Sequence, residues 1–445
     1  MKNKRIIDIC YSLIAFLAPL IAFISNSSSS LGFADAAEFA LVSELNSIAH
    51  PPGFPAYVIL SHHWSNLLEG IAGNHIQSLV LFSSFCGALS ILILYRSICL
   101  LFDGEFLIVR SSALAAALST AFGVTFWHWS HSIEVYALHS LSFSMLIYGM
   151  SGLQRSGNAA YALVAGAGIG TGIANHHLTM VLFLPLVVFW LMTQKNDGKY
   201  SRPFDLKRLF ARNSLLMIST SIFFAVLYYS FMYLRASDEL VFKFGNPDNL
   251  SRLWYHLSGG AWIKNTTASV SGLAGLRFPY FMQLTFEQTF IFLPVLLWGL
   301  WMFWTKRSHA FLTGVLVFYL VVLGYQLRID QTSDTDAYMI LPFQLFAIPI
   351  AAGLMAILKS KPKFIYLLPV MILIQIGINF KKTDARDLDV SESLMNMLDQ
   401  STPKGAVILI SDWTLVSQYH YYRIAEGFRP DLIVLNYDLK FTHYR

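Results

Sequence analysis

Apolar stretches of membrane-crossing length recur along this chain, near residues 7–25, 76–101, 111–127, 132–153, 159–174, 178–193, 214–234, 284–304, 310–327, 338–358 and 364–380. A helix rises about 1.5 Å per residue. A hydrocarbon core about 30 Å thick therefore takes roughly 20 apolar residues, and that ruler predicts about eleven transmembrane helices. Apolar residues make up 55% of the chain and charged ones 13%, more apolar surface than globular burial can hide. The expected fold is a polytopic α-helical membrane protein. No repeat of solenoid length is present, which removes that class.

The formal net charge of +5 raises the question of a nucleic-acid partner. The basic residues instead collect in short loops at alternate span ends: Lys2, Lys4 and Arg5, then Arg110, Arg155, Lys195 to Arg212, Lys306 with Arg307, and Lys359, Lys361 and Lys363. That is the positive-inside pattern, so no nucleic acid is expected. It places the start in the cytoplasm and the loop after the first helix outside; Lys381 and Lys382 run against it. Cys10, Cys86 and Cys99 fall in apolar spans and read as packing residues. A basic start and an apolar core before Ala34-Asp35-Ala36 also fit a cleaved signal peptide. The length of the apolar stretch favours a retained first helix.

Residues 1–380 form the expected transmembrane domain, with a first outer loop at 26–75 and a long outer loop at 235–283. Residues 381–445 change composition to a small water-soluble α/β unit on the outer face: helix 390–400, strand 406–411, helix 413–426, strand 431–436. This unit either packs on the outer loops or is continued by further chain. In the first loop, Asp35 is placed to cap a short helix over 34–48. Pro51 and Pro52 end that helix, and 56–70 reads as an interfacial helix.

The chemistry-bearing residues cluster at the outer ends of the spans. Asp35 and Glu38 lie one helical turn apart, so both carboxylates can enter one pocket, one as general base and the other as its partner. The plainer reading has Asp35 as a cap and Glu38 solvated. The rigid His50-Pro51-Pro52-Gly53 turn and nearby aromatics favour a site. His50, His62, His63, His128, His131, His176 and His177 lack zinc spacing. Of these, His50, His176 and His177 are expected to contact substrate, with Pro51 and Pro52 beside His50 and with Glu134 and Tyr136 after the aromatic turn at 127–131. Gly166, Gly168, Gly170 and Gly172 read as close helix packing. Lys264, Arg277 and Arg328 could meet a lipid phosphate. Asp330, Asp334 and Asp336 could bind a divalent cation, but solvated acids are the favoured reading. No metal or cofactor is therefore expected, and Asp336 is kept as a substrate contact.

Asp35-Ala-Ala-Glu38-Phe, followed by Ile48-Ala49-His50-Pro51-Pro52-Gly53-Phe54-Pro55, resembles the Asp-Ser-Gly-Glu-Leu … Val-Ala-His-Pro-Pro-Gly-Tyr-Pro signature of the DUF2723 family, which includes the TMEM260-like protein O-mannosyltransferases. Ile133-Glu134-Val135-Tyr136-Ala137-Leu138 is similar to its Ala-Glu-Val-Phe-Ala-Leu segment, Asn175-His176-His177 to its Asn-Gln-His turn, and Gly427-Phe428-Arg429-Pro430-Asp431-Leu432 to its Gly-x-Arg-Pro-Asp-Val segment. Ala36 and Ala37 depart from the family's Ser-Gly.

The resemblance implies a GT-C-like fold and an inverting glycosyltransferase that moves a sugar from a polyprenyl-phosphate donor to an acceptor hydroxyl at the outer face, with Asp35 as base and Glu38 beside it. Mannose and a protein Ser/Thr hydroxyl are the implied pair; a glycolipid or envelope polysaccharide is the alternative acceptor. The implied setting is a bacterial inner membrane with the site facing the periplasm, or an endoplasmic reticulum membrane with a luminal site in a eukaryote. A transporter or flippase for a lipid-linked sugar is the competing class. A non-catalytic membrane scaffold is the third.

Overall fold

The computed structural model describes residues 2–33, 35–68, 70–192, 206–259, 270–305, 334–388 and 390–436. The expected span at 310–327 lies outside these residues, as do Lys264, Arg328 and Asp330 and the side chain of Arg277.

The first helix, α1 (Lys2–Ser25), shows why a bilayer is needed. Ile6, Ile9, Leu13, Leu17 and Ile21 are exposed along it while Ala15 and Phe23 are fully buried. One stripe faces lipid and the other faces protein. Two short helices of the first loop follow, α2 (Ala36–Glu44) and α3 (Pro55–Leu67). The bundle continues with α4 (His75–Leu101), α5 (Phe106–Ala121), α6 (Val124–Ser130), α7 (Tyr136–Ser156), α8 (Ala159–Met192) and α9 (Arg212–Ala236). After a loop helix, α10 (Leu250–Leu257), come α11 (Val270–Thr289), α12 (Leu293–Thr305), α13 (Ile340–Ser360) and α14 (Leu367–Phe380).

Among the described residues, seven helices are long and apolar enough to cross a membrane, or eight if α5 and α6, bent by 70° to one another, count as one span. That count takes α8 as one span, yet α8 reverses at His176. That residue leaves helical geometry at φ −147° and ψ 80°. Before it, Gly168 packs on α7 so closely that a Cβ would lie 2.5 Å from the Ser142 carbonyl. After it, Thr179 Oγ1 lies 2.7 Å from His139 Nε2, and the Phe183 ring meets Phe143 with centroids 4.5 Å apart. Contacts at 139 and then 143 retrace α7 in the opposite sense. The stretches 159–174 and 178–193 are thus two arms of a hairpin, as the sequence spacing anticipates.

Small residues and buried amides hold the bundle. A Cβ at Gly166 would lie 2.5 Å from the Met217 carbonyl of α9, so the glycines of α8 serve packing. Gln344 Nε2 donates to Ser90 Oγ and Ser144 Oγ, both at 2.9 Å, and to Ser140 O at 3.1 Å. Asn379 Nδ2 donates to Phe122 O at 2.7 Å, and Asn26 Nδ2 to Thr383 Oγ1 at 2.8 Å. These bonds bring the ends of α1, α5 and α14 to one end of the bundle. At the other end, Asp8 pairs with Arg96 at 2.6 Å and Arg110 at 2.7 Å.

Beyond α14, helix α15 (Val390–Ser401) leads to β1 (Val407–Ile410), α16 (Trp413–Ala425) and β2 (Ile433–Asn436). The strands pair in parallel, Val407 opposite Ile433, with α16 as the crossover. Arg429 locks the entry to β2. Its guanidinium bonds Asp431 at 2.9 Å and Asp399 at 3.2 Å, which gives the Gly-Phe-Arg-Pro-Asp stretch a structural use. The unit sits on the first loop: Ser391 Oγ donates to Leu31 O at 3.0 Å, Gln418 Nε2 to Gly32 O at 3.2 Å, and Ser30 Oγ to Leu388 O at 2.6 Å.

Candidate functional site

At the start of α2, Asp35 stands in the cap position, yet its side chain makes no capping hydrogen bond. The expected cap is therefore absent. The carboxylate instead accepts the Trp413 indole N–H at 3.0 Å on Oδ1 and presents Oδ2 to His50 Nε2 at 3.8 Å. Glu38, one turn on, is fully buried and not solvated. It accepts the His50 backbone N–H at 2.6 Å and pairs with His50 Nδ1 at 2.8 Å. A buried carboxylate that takes both donors of one residue is well satisfied.

The proline turn sets where His50 can go. Gly53 N donates to His50 O at 2.7 Å, and the Pro51–Pro52 peptide is cis. Gly53 has φ +96°, and a Cβ there would collide with Met232 Sδ and lie 3.2 Å from His256 Nε2, so only glycine fits. Phe54 follows at φ +43°, a conformation L-residues adopt at a cost. Its ring is buried edge-on against Phe39 at 5.2 Å and His50 at 5.0 Å, which offsets that cost. His256 reaches in from the long outer loop, its Nε2 at 3.1 Å from Ala49 O.

Electrostatics follow from this enclosure. Loss of water would drive the proton off His50, but the Glu38 and Asp35 carboxylates outweigh it and hold the imidazole up at about 9. Loss of water pushes the Asp35 carboxyl up to about 6, opposed by His50 and reinforced by Glu38 and Asp334. At neutral pH His50 is charged and Asp35 largely ionised. The Asp35 side chain keeps 29% exposure against 12% for His50 and none for Glu38, so of the three it is the most open to a ligand.

A second wall comes from the α6–α7 turn. The Tyr136 hydroxyl donates to Asp334, and the Glu134 carboxyl is buried with Oε1 unpartnered among the described residues. His176, at the α8 reversal, is ringed by Tyr338 at 5.1 Å, His139 at 5.3 Å, Tyr136 at 5.7 Å and Phe54 at 6.2 Å. His177 beside it is half-buried with Nδ1 unpartnered among the described residues. Asp336 is set back, near the Trp129 indole. Asp35, Glu38, His50, Glu134, Tyr136 and His176 are therefore gathered at one end of the bundle. Pro51 and Pro52 shape the turn.

Sequence reasoning did not assign Trp413, His256, Phe54 or Tyr338 to the site, and it favoured Asp334 as a solvated acid, with a cation ligand as the alternative, whereas Asp334 accepts the Tyr136 hydroxyl. The aromatic run at 254–256 in a long loop is a usable signal for His256; Trp413 has none locally. Asp35, Glu38 and His50 offer one ligand atom each within 4.8 Å of one another. A cation there would have to displace the proton that His50 shares with Glu38.

Residues 35–200 match the family model of the protein O-mannosyl-transferase TMEM260 N-terminal domain. The chain is 20% identical to the protein O-mannosyl-transferase TMEM260 of Mus musculus, over 96% of this chain and 62% of that one. It is 20% identical to its counterpart in Dictyostelium discoideum over 40% of this chain and 22% of that one. It thus spans less than two thirds of either relative. Among solved structures, ArnT from Cupriavidus metallidurans bound to undecaprenyl phosphate aligns with a TM-score of 0.61 at 13% identity, over 98% of this chain and 86% of that one. The archaeal oligosaccharyltransferase AglB from Archaeoglobus fulgidus, in complex with an inhibitory peptide and a dolichol-phosphate, aligns with a TM-score of 0.60 at 12% identity, over 98% of this chain and 65% of that one. These likenesses show the fold, which is GT-C-like.

Proposed function

We propose that this chain, TMEM260-like and of that family over residues 35–200, transfers a sugar from a polyprenyl-phosphate donor to a protein Ser/Thr hydroxyl, with mannose as the favoured sugar. One observation carries the reading. Asp35 is a partly exposed carboxylate, free of helix-capping duty and held beside a buried Glu38–His50 pair at one end of a membrane bundle. The relatives named as O-mannosyl-transferases support the sugar and the acceptor. The neighbours solved with polyprenyl phosphates support the donor class.

In the proposed step the acceptor oxygen attacks the anomeric carbon as its proton passes to Asp35. The bond from that carbon to the phosphate oxygen breaks, and the electron pair leaves with the lipid phosphate. A single displacement inverts the anomeric configuration. His50, charged at neutral pH, keeps Asp35 ionised and adds positive charge near the developing phosphate. Lys264 and Arg328 are proposed to serve the phosphate, and Glu134, Tyr136, His176, His177 and Asp336 to line the sugar and acceptor path. The proposed setting is the non-cytosolic side of a bacterial inner membrane.

Purified protein given polyprenyl-phosphate mannose and a panel of Ser/Thr peptides should yield a hexose-bearing peptide by mass spectrometry, and Asp35→Asn should yield it about 10²–10⁴-fold more slowly. Sugar appearing on a glycolipid instead would move the acceptor class. Movement of intact donor across proteoliposomes without glycosidic cleavage would replace the reading with a transporter.

A further inference from the structure

One link between the tail unit and the membrane domain reaches the site itself: the hydrogen bond from Trp413 Nε1 to Asp35 Oδ1, at 3.0 Å across 378 residues of sequence. We propose that Trp413 is a positioning residue for Asp35, so that the α/β unit forms part of the site and orients the carboxylate through one indole N–H. The inference rests on the transferase reading above and adds a residue that reading does not require.

Three independent features place the indole. Trp413 opens α16, and the preceding Asp412 fixes that opening by accepting Leu415 N–H at 3.0 Å. The helix is anchored on the first loop through Gln418, fully buried, and through Tyr421, which joins the core of the membrane domain. The ring itself packs edge-on against Phe244 at 5.8 Å, and Phe244 packs edge-on against His50 at 6.1 Å. Phe244 is in turn held by its backbone N–H to Ile48 O at 2.8 Å. Trp413, Phe244 and His50 thus form a run of edge-on rings whose two ends, Trp413 and His50, both meet Asp35.

Asp35 needs such a holder. Its carboxylate is turned away from the α2 amides that would otherwise fix it. A side chain at a helix start with no local bond samples several rotamers. Indole is a donor only, so it can occupy one carboxylate oxygen without competing for the acceptor's proton. With Oδ1 taken, Oδ2 is left facing His50 and the open side of the site. Holding a base within a narrow range of angles is worth rate rather than binding.

The test uses the whole 445-residue chain in proteoliposomes with polyprenyl-phosphate sugar and acceptor peptide. Trp413→Phe keeps the ring and removes the donor; it should lower kcat about tenfold, the equivalent of ~1.4 kcal/mol, and leave KM for donor and acceptor within about twofold. Trp413→His returns a ring N–H and should recover part of the loss. A further variant carrying benzothienylalanine at position 413, with sulfur in place of the N–H, preserves shape and so folding; it should behave as Trp413→Phe does. Wild-type kcat in the benzothienylalanine variant would overturn the proposal, as would equal losses in the Phe and His variants or a loss confined to KM. Asp35→Asn in the same assay separates the two ideas. If it stays active, the transferase reading has lost its base; if it is dead while the benzothienylalanine variant is unimpaired, only the positioning role fails.

Discussion

The charges at the site are set by a handful of contacts, and pH should read them directly. Asp35 faces Glu38, His50, Asp334 and the Trp413 indole, and its carboxyl sits at about 6. A general base must be ionised, so kcat/KM should rise between about pH 5 and 7 and level off above, and Asp35→Asn should cost about 10²–10⁴ in rate. A profile flat through that range would remove Asp35 from the proton transfer. His50 carries the opposite sign. Its proton is held up at about 9 against an ordinary 6.5, so the folded state binds it more tightly than the unfolded state does. The stability it contributes is fully present below about pH 6.5 and is lost as pH rises through about 9. Melting temperature in detergent should fall over that interval in the wild-type chain. Glu38→Gln removes the main partner of the imidazolium and should flatten that fall.

The elements are fixed by close approach more than by propensity. The His50-to-Gly53 turn is pressed between α9 and α10, and Gly53 has both a positive φ and no room for a Cβ against Met232. Gly53→Ala should therefore destabilise the chain by about 1–3 kcal/mol and loosen His50, seen as a lower melting temperature and a lower kcat together. In α8 the glycine face meets the α9 backbone, with a Cβ at Gly170 colliding with the Ser221 carbonyl. Gly170→Leu should separate the two helices and cost at least ~2 kcal/mol, read as loss of monodisperse protein on extraction. An unchanged melting temperature in either variant would show that the contact carries no weight.

Across the whole molecule, the acids and histidines of the site lie at one end of the bundle, and the Asp8–Arg96–Arg110 cluster lies at the other. Ser28→Cys and Lys361→Cys, placed in a chain whose exposed Cys10 has been replaced, should accept an impermeant thiol reagent from opposite sides of the membrane. Labelling of both from one side would break the topology. Much of this arrangement was legible in the sequence. Apolar length announced the spans among the described residues, even the hairpin arms that share one helix, because a hydrocarbon core imposes its thickness on any chain that crosses it. Asp35, Glu38 and His50 were legible because the three lie within a short stretch, where a helical turn and a proline turn suffice to bring them together. The cap expected of Asp35 was wrong, since local geometry offered the α2 amides while a tail residue took the carboxylate. Trp413 carries no local mark of its place, and the aromatic run around His256 and the acids around Asp334 do not say what they meet, because these contacts are made across long sequence separations by packing. The sequence by itself determined the membrane, the spans among the described residues and the acid–histidine cluster, since each depends on short-range periodicity and spacing. Only the tertiary structure decided which oxygen of Asp35 is held and which is open, because that depends on a helix some 378 residues away docking on the first loop.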